Sequence, residues 1–82
     1  MASILIVDDE SNVRRMLSRL LESEGHAIAE AANGREALEA IRASEPDVVL
    51  LDLVMPELDG IQTLARLTDE RPGLPVVMMS GR

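Results

Sequence analysis

Two stretches of consecutive apolar residues, Ile4-Leu5-Ile6-Val7 and Val48-Val49-Leu50-Leu51, run directly into carboxylates: Asp8-Asp9 after the first, Asp52 after the second. Such runs are too short for helices and rich in β-branched side chains, so they read as strands buried on both faces. A third apolar stretch, Pro75-Val76-Val77-Met78-Met79, ends in Ser80 and predicts another strand. His26-Ala27-Ile28-Ala29-Glu30-Ala31 mixes small and polar residues, which suits a strand at a sheet edge. Between the strands the apolar spacing changes to that of a helix. Val13, Met16, Leu17, Leu20 and Leu21 share one helical face, with Ser11 or Asn12 to cap the start and Gly25 to end it. Ala37, Leu38 and Ile41 mark a second helix, started by Asn33 with Glu36 as reciprocal cap and stopped before Pro46. Ile61, Leu64, Ala65 and Thr68 form the apolar face expected of a third helix, with Asp59 and Gln62 as its cap pair. The order βαβαβαβ with short connections predicts one α/β domain over residues 1–82, built on a parallel sheet with right-handed crossovers.

Composition narrows the class. A chain of 82 residues holds one small domain, and one this short hides only about 60–65% of its unfolded surface. The net charge of −7 argues against nonspecific binding to nucleic acid or anionic lipid. No apolar run approaches the roughly 18 residues of a membrane span. Residues 1–3 carry no basic segment of the kind that opens a secretory signal. Cysteine is absent, so disulfides and thiolate metal sites are excluded. Aromatic residues and lysine are also absent; all eight basic residues are arginine.

The chemistry sits at the strand ends. A doubly wound sheet of order 2-1-3-4 places strands one, three and four side by side. Their carboxyl ends, where open α/β sheets bind ligands, then bring together Asp8, Asp9, Asp52 and Ser80. Carboxylates pressed together repel, and a hard divalent cation relieves the repulsion. Mg²⁺ favours such oxygen donors and keeps several waters, which leaves room for a phosphate. Asp52 neutralised in this way can attack phosphorus to give an acyl phosphate, and Ser80 can donate to a phosphoryl oxygen. A single aspartate after a strand is more often a turn former or cap, and Asp8-Asp9 can serve the first helix so. Three independent strand ends delivering acid, acid and hydroxyl favour a joint site. Arg14, Arg15, Arg19 and Glu22 lie off the apolar stripe and read as a solvated helix face; Met55, Met78 and Met79 read as packing, and His26 receives no role.

The motifs Ile6-Val7-Asp8-Asp9-Glu10, Asn33-Gly34, Asp52-Leu53-Val54-Met55-Pro56, Asp59-Gly60 and Ser80 together resemble the receiver domain of bacterial two-component response regulators, a flavodoxin-like fold. The resemblance extends along the whole chain. It implies that Asp52 is the phosphoacceptor, taking phosphate from a sensor histidine kinase or phosphotransfer domain. It also implies that Asp8, Asp9, Asp52 and the backbone carbonyl of Val54 hold Mg²⁺, with Ser80 as the switch hydroxyl. Val54 and Arg82 match positions that tune phosphoryl lifetime. The first helix, with Arg14, Arg15 and Arg19, is the surface a kinase's phosphotransfer domain would meet. The pair Ser80-Gly81 is similar to receivers of enhancer-binding transcription activators. The family setting implies a cytoplasmic protein in transcription regulation, a phosphoacceptor rather than an enzyme, with no direct contact to nucleic acid or membrane.

One departure stands out. The family pattern continues into a fifth strand that begins near a lysine, two further helices and an aromatic switch residue, none of which this chain offers. The sequence therefore predicts a receiver truncated after its fourth strand. That strand is then an exposed edge, and self-association through it or by exchange of elements is expected. Three other readings compete. An Asp-nucleophile phosphatase of the haloacid-dehalogenase type needs an acid two residues after Asp52, where Val54 stands. A nucleotide-binding domain needs glycines where Asp8-Asp9-Glu10 stand. A receiver-like interaction module that takes no phosphate, or an inactive fragment, is the main rival, because the family lysine is missing.

Overall fold

The computed structural model describes residues 1–52 and 60–79. The elements are β1 (Ser3–Val7), α1 (Ser11–Ser23), β2 (Ala27–Ala31), α2 (Gly34–Ala43), β3 (Val48–Asp52), α3 (Gly60–Glu70) and β4 (Val76–Met79). All strand pairs are parallel, and the sheet order is β2-β1-β3-β4, as the alternation of strands and helices predicts. The register pairs Val7 with both Ala31 and Leu51, and Asp52 with Met79. The carboxyl ends of β1 and β3 therefore finish side by side.

The step from β1 to β2 runs in one direction across the sheet and the later steps run in the other. Right-handed crossovers then put α1 on one face and α2 with α3 on the opposite one. The core lies on the α2–α3 face. There Leu5, Val7, Val49 and Leu51 from the central strands meet Ala37, Leu38 and Ile41 of α2 and Leu67 of α3. Asp47 fixes the start of the sheet: its carboxylate accepts from the Ser3 N–H at 2.8 Å, and its own N–H donates to the Ser3 carbonyl at 2.7 Å.

Helix termini follow the sequence in part. Asn33 accepts from the Glu36 N–H at 2.9 Å, and the Glu36 carboxylate reaches back to accept from the Ala32 N–H at 2.8 Å. Gly25 takes φ +92°, the left-handed region open to glycine, and its N–H donates to Glu22 O at 2.9 Å to close α1. The cap expected of Ser11 or Asn12 is not made. Glu10 holds the N-cap position with no side-chain cap bond, and Ser11 and Asn12 already lie inside or at the helix start. The Asp59–Gln62 pair falls on Asp59, which lies outside the described residues.

Two helix faces differ from expectation. In α1 only Leu17 and Leu21 of the apolar stripe are half-buried; Val13, Met16 and Leu20 are exposed. The helix packs over β1 and β2, so the side of its stripe turned toward β3 and β4 meets no helix among the described residues. In α3 the inward residues are Gly60, Thr63 and Leu67 with Leu64 beside them, whereas Ile61, Ala65 and Thr68 are exposed. Thr63 is completely buried and Thr68 exposed, so the inward face is turned around the helix from the expected stripe.

Candidate functional site

Asp52 is the last residue of β3, with its strand neighbours Val49 and Leu51 fully buried. Burial of the strand carries the carboxylate with it: Asp52 is only 4% exposed and Asp8, one residue beyond β1, only 6%. Asp9, next along the turn, is exposed. One carboxylate oxygen from each of Asp8, Asp9 and Asp52 lies within 4.8 Å of the other two. Asp52 thus meets the Asp8-Asp9 pair, more than forty positions away in the chain, at one edge of the sheet, as their places at the ends of two buried strands predict. Ser80 and Val54, expected to complete the site, lie outside the described residues, as does Arg82.

Three hydrogen bonds hold Asp8. Its N–H donates to Ala31 O on β2 at 3.1 Å, its Oδ1 accepts from the Glu10 N–H at 2.9 Å, and its carbonyl accepts from Arg14 Nη1 at 2.6 Å. The Asp8–Glu10 bond is a local turn bond, so the structural reading of Asp8 is true as far as it goes. It accounts for one oxygen only. The carboxyl of Asp8 is pushed above its ordinary value, chiefly because burial disfavours the charged form; the Glu10 N–H partly offsets this, and the neighbouring Asp52 and Asp9 charges add to it. A cation bound there would offset the Asp52 and Asp9 charges. The donor set of three carboxylates, two of them buried, fits a hard divalent cation and suits Mg²⁺ in particular. What the arrangement can do is hold such a cation beside Asp52, the carboxylate at the end of β3.

The solvated-face reading fails at Arg14. Its side chain is only 16% exposed, and its Nε donates to Glu30 Oε1 on β2 at 2.9 Å while Nη1 reaches the Asp8 carbonyl. Ser18, buried on α1, donates to the other Glu30 oxygen at 2.8 Å. These hydrogen bonds hold the Glu30 carboxyl below its ordinary value, Ser18 first and Arg14 after it. A sequence signal for this clamp exists: Arg14 and Ser18 stand four apart on a helix that follows a strand ending in acid. His26 also has a partner that the sequence did not reveal, for its Nδ1 accepts from the Ala2 N–H at 3.0 Å and ties the chain start to the β2 end.

A doubly wound parallel sheet with a buried acid at the end of β3 and an acid pair after β1 defines the class as a receiver. The response regulator receiver domain family matches over residues 4–82, and the chain belongs to that family. Curated relatives include the regulatory protein AtoC of Escherichia coli, 48% identical over 77 residues, which span 94% of this chain and 17% of AtoC. The probable transcriptional regulatory protein TcrX of Mycobacterium tuberculosis is 40% identical over 98% of this chain and 34% of its own length. The chain thus spans about a third or less of these relatives. Among solved structures, NtrX from Brucella abortus superposes with a TM-score of 0.94 at 40% identity, over 99% of this chain and 19% of NtrX. The N-terminal domain of a receiver protein from Methanoculleus marisnigri gives 0.96 at 36% identity, covering all of this chain and 68% of that one. Among the described residues no helix is long and apolar enough to cross a membrane.

Proposed function

We propose that this chain accepts a phosphoryl group on Asp52 from a phosphohistidine of a sensor kinase or phosphotransfer domain, with Mg²⁺ held by Asp8, Asp9 and Asp52. The observation that carries this reading is the convergence of the three carboxylates, one oxygen of each within 4.8 Å of the others, at the end of the central strands. In the reaction an Asp52 oxygen forms a bond to phosphorus, the P–N bond of the donor breaks, and the leaving imidazole retains or takes up its proton. Mg²⁺ held by Asp8, Asp9 and Asp52 would supply positive charge against the acids and the phosphoryl group. The chain's own contribution is positional: β3 holds the nucleophile, and the turn after β1 holds the two other donors. By their positions, Ser80 is assigned to the arriving phosphoryl group and the Val54 carbonyl to the cation. No catalytic turnover of a separate substrate is proposed.

Incubation with Mg²⁺ and acetyl phosphate followed by intact-mass measurement tests the reading. The expected result is a gain of one phosphoryl group that Asp52→Asn abolishes. A chain that gains no phosphoryl mass at any donor concentration is instead the interaction module. The partner expected besides a kinase is a second copy of the chain. β4 is an edge strand, and Val77 and Met78 on it are about half exposed. Sedimentation equilibrium that shows only monomer at high concentration contradicts that part alone.

A further inference from the structure

We infer that Arg14 is a positioning residue for the acid cluster, and that Glu30 and Ser18 exist to aim it. The inference rests on the phosphoacceptor reading and adds a residue set to it. Arg14 bridges two elements with two prongs of one planar group: Nε to the Glu30 carboxylate on β2, Nη1 to the main-chain oxygen of Asp8. The peptide plane that carries the Asp8 carbonyl also carries the Asp9 N–H, because the six atoms of a peptide unit are coplanar. Holding that oxygen at 2.6 Å therefore restrains the plane, and with it the direction in which Asp9 leaves the turn. Asp9 is the exposed member of the cluster and has no strand burial to hold it. The clamp supplies what burial supplies for Asp52. Ser18, itself buried, occupies the second oxygen of Glu30 and leaves the carboxylate one orientation in which to meet Arg14.

Charge and geometry predict opposite results, which makes the inference testable. As a bare cation near three acids, Arg14 would weaken binding of a metal ion, and its removal would tighten it. As a clamp it strengthens binding, and lysine cannot replace it, since an ammonium keeps the charge but lacks the planar fork. The probe is Mn²⁺, titrated into the full chain and read as free ion by electron paramagnetic resonance. No chemistry enters that measurement. Arg14→Lys should bind Mn²⁺ about 10-fold more weakly, at the lower end of the usual effect of losing a group that orients a metal ligand. Glu30→Ala should weaken it in the same direction, and the double variant should be no worse than the poorer single one. Arg42→Lys, in the exposed Arg42–Glu70 pair between α2 and α3, should match the parent. Far-ultraviolet circular dichroism confirms that each variant is folded at the temperature of titration. Should Arg14→Lys not fold, Ser18→Ala gives the same test with a smaller loss of the same sign. At saturating Mg²⁺ the acceptance of phosphate from acetyl phosphate should return toward the parent level, as it would not if the fold itself were damaged. A parent that binds Mn²⁺ while Arg14→Lys stays within about twofold of it, or binds more tightly, overturns the inference alone. A parent that binds no Mn²⁺ sinks the phosphoacceptor reading and this inference with it.

Discussion

Replacing Asp52 by asparagine should stabilise the fold when no divalent cation is present. The substitution keeps the size of the side chain and removes one of three negative charges whose oxygens lie within 4.8 Å. At that separation a pair of unit charges repels by about 3.5 kcal/mol at an effective dielectric of about 20, and by about 0.9 kcal/mol in bulk water. Asp8 and Asp52 are both buried, so their pair lies toward the higher figure; Asp9 is exposed, so its pair lies toward the lower. Solvent and salt reaching the exposed Asp9 at the edge of the site limit the sum. A gain of about 1–3 kcal/mol follows, and for a domain of this size that is about 5–15 °C in Tm. The chain has no aromatic residue, so intrinsic fluorescence is silent and unfolding has to be followed by far-ultraviolet circular dichroism or calorimetry. In EDTA and low salt near neutral pH, Asp52→Asn should melt above the parent. Mg²⁺ should raise the parent's Tm and narrow the gap, and about 1 M salt, with its Debye length of about 3 Å, should narrow it too. A variant that melts below the parent in EDTA, or a Mg²⁺ effect of equal size on both chains, would refute the electrostatic account.

The same charges set the response to pH, with two signs. Glu30 has its folded value lowered from 4.5, so it contributes stability that is present above that value and is lost as pH falls through the folded one; Glu30→Gln should flatten the acid limb of a Tm–pH profile below about pH 4.5. Asp8 has its folded value raised from 3.8, so its contribution is full below that value and is lost as pH rises through the folded one; the advantage of Asp8→Asn over the parent should open above about pH 4. Leu67→Ala, which empties a fully buried site between α3 and the core, should cost about 2–5 kcal/mol, read as a lower urea midpoint with unchanged slope.

The sheet was legible in the sequence because its two central strands are continuous apolar runs, which parallel strands covered on both faces require. Strand order, and with it the meeting of Asp8, Asp9 and Asp52, drew also on the mixed composition of the second strand and on the doubly wound pattern that the resemblance to receivers implies. Helix faces were less legible. The apolar face expected of α3 was Ile61, Leu64, Ala65 and Thr68, yet Thr63, with a methyl group as well as a hydroxyl, is the threonine that is buried. In α1 five apolar residues mark a stripe wider than the two strands beneath it, and only Leu17 and Leu21 find partial cover. Periodicity reports which residues share a face; it does not report what lies opposite. The Arg14 clamp was hidden for a related reason. A basic residue beside an apolar stripe has the same signature whether it points to water or folds back over the turn, and only the nearness of Glu30 on β2 decides between them.

The members of the acid cluster are therefore held by different physics, and the two kinds of support should fail separately. Asp52 is placed by apolar burial: Val49 and Leu51 enter the core against α2 and α3, and the carboxylate follows at the strand end. Asp8 ends a strand of the same kind, but Asp9 lies beyond it, in a turn fixed by the Glu10 N–H and the Arg14 guanidinium. A core substitution such as Leu67→Ala lowers global stability yet leaves the geometry of the folded fraction intact, since packing resists small displacements. A clamp substitution such as Arg14→Lys breaks the two-pronged contact to Glu30 and the Asp8 carbonyl, a modest loss for the fold but a direct loss for the turn. Measured side by side on folded chains, the first should change the urea midpoint far more than Mn²⁺ affinity, and the second the reverse. A receiver that needs its nucleophile rigid and its cation exchangeable gains from that division. On the proposed reading, the strand that would carry the reacting oxygen is buried with the core, and the carboxylate that meets solvent hangs from a polar fork expected to loosen without unfolding the sheet.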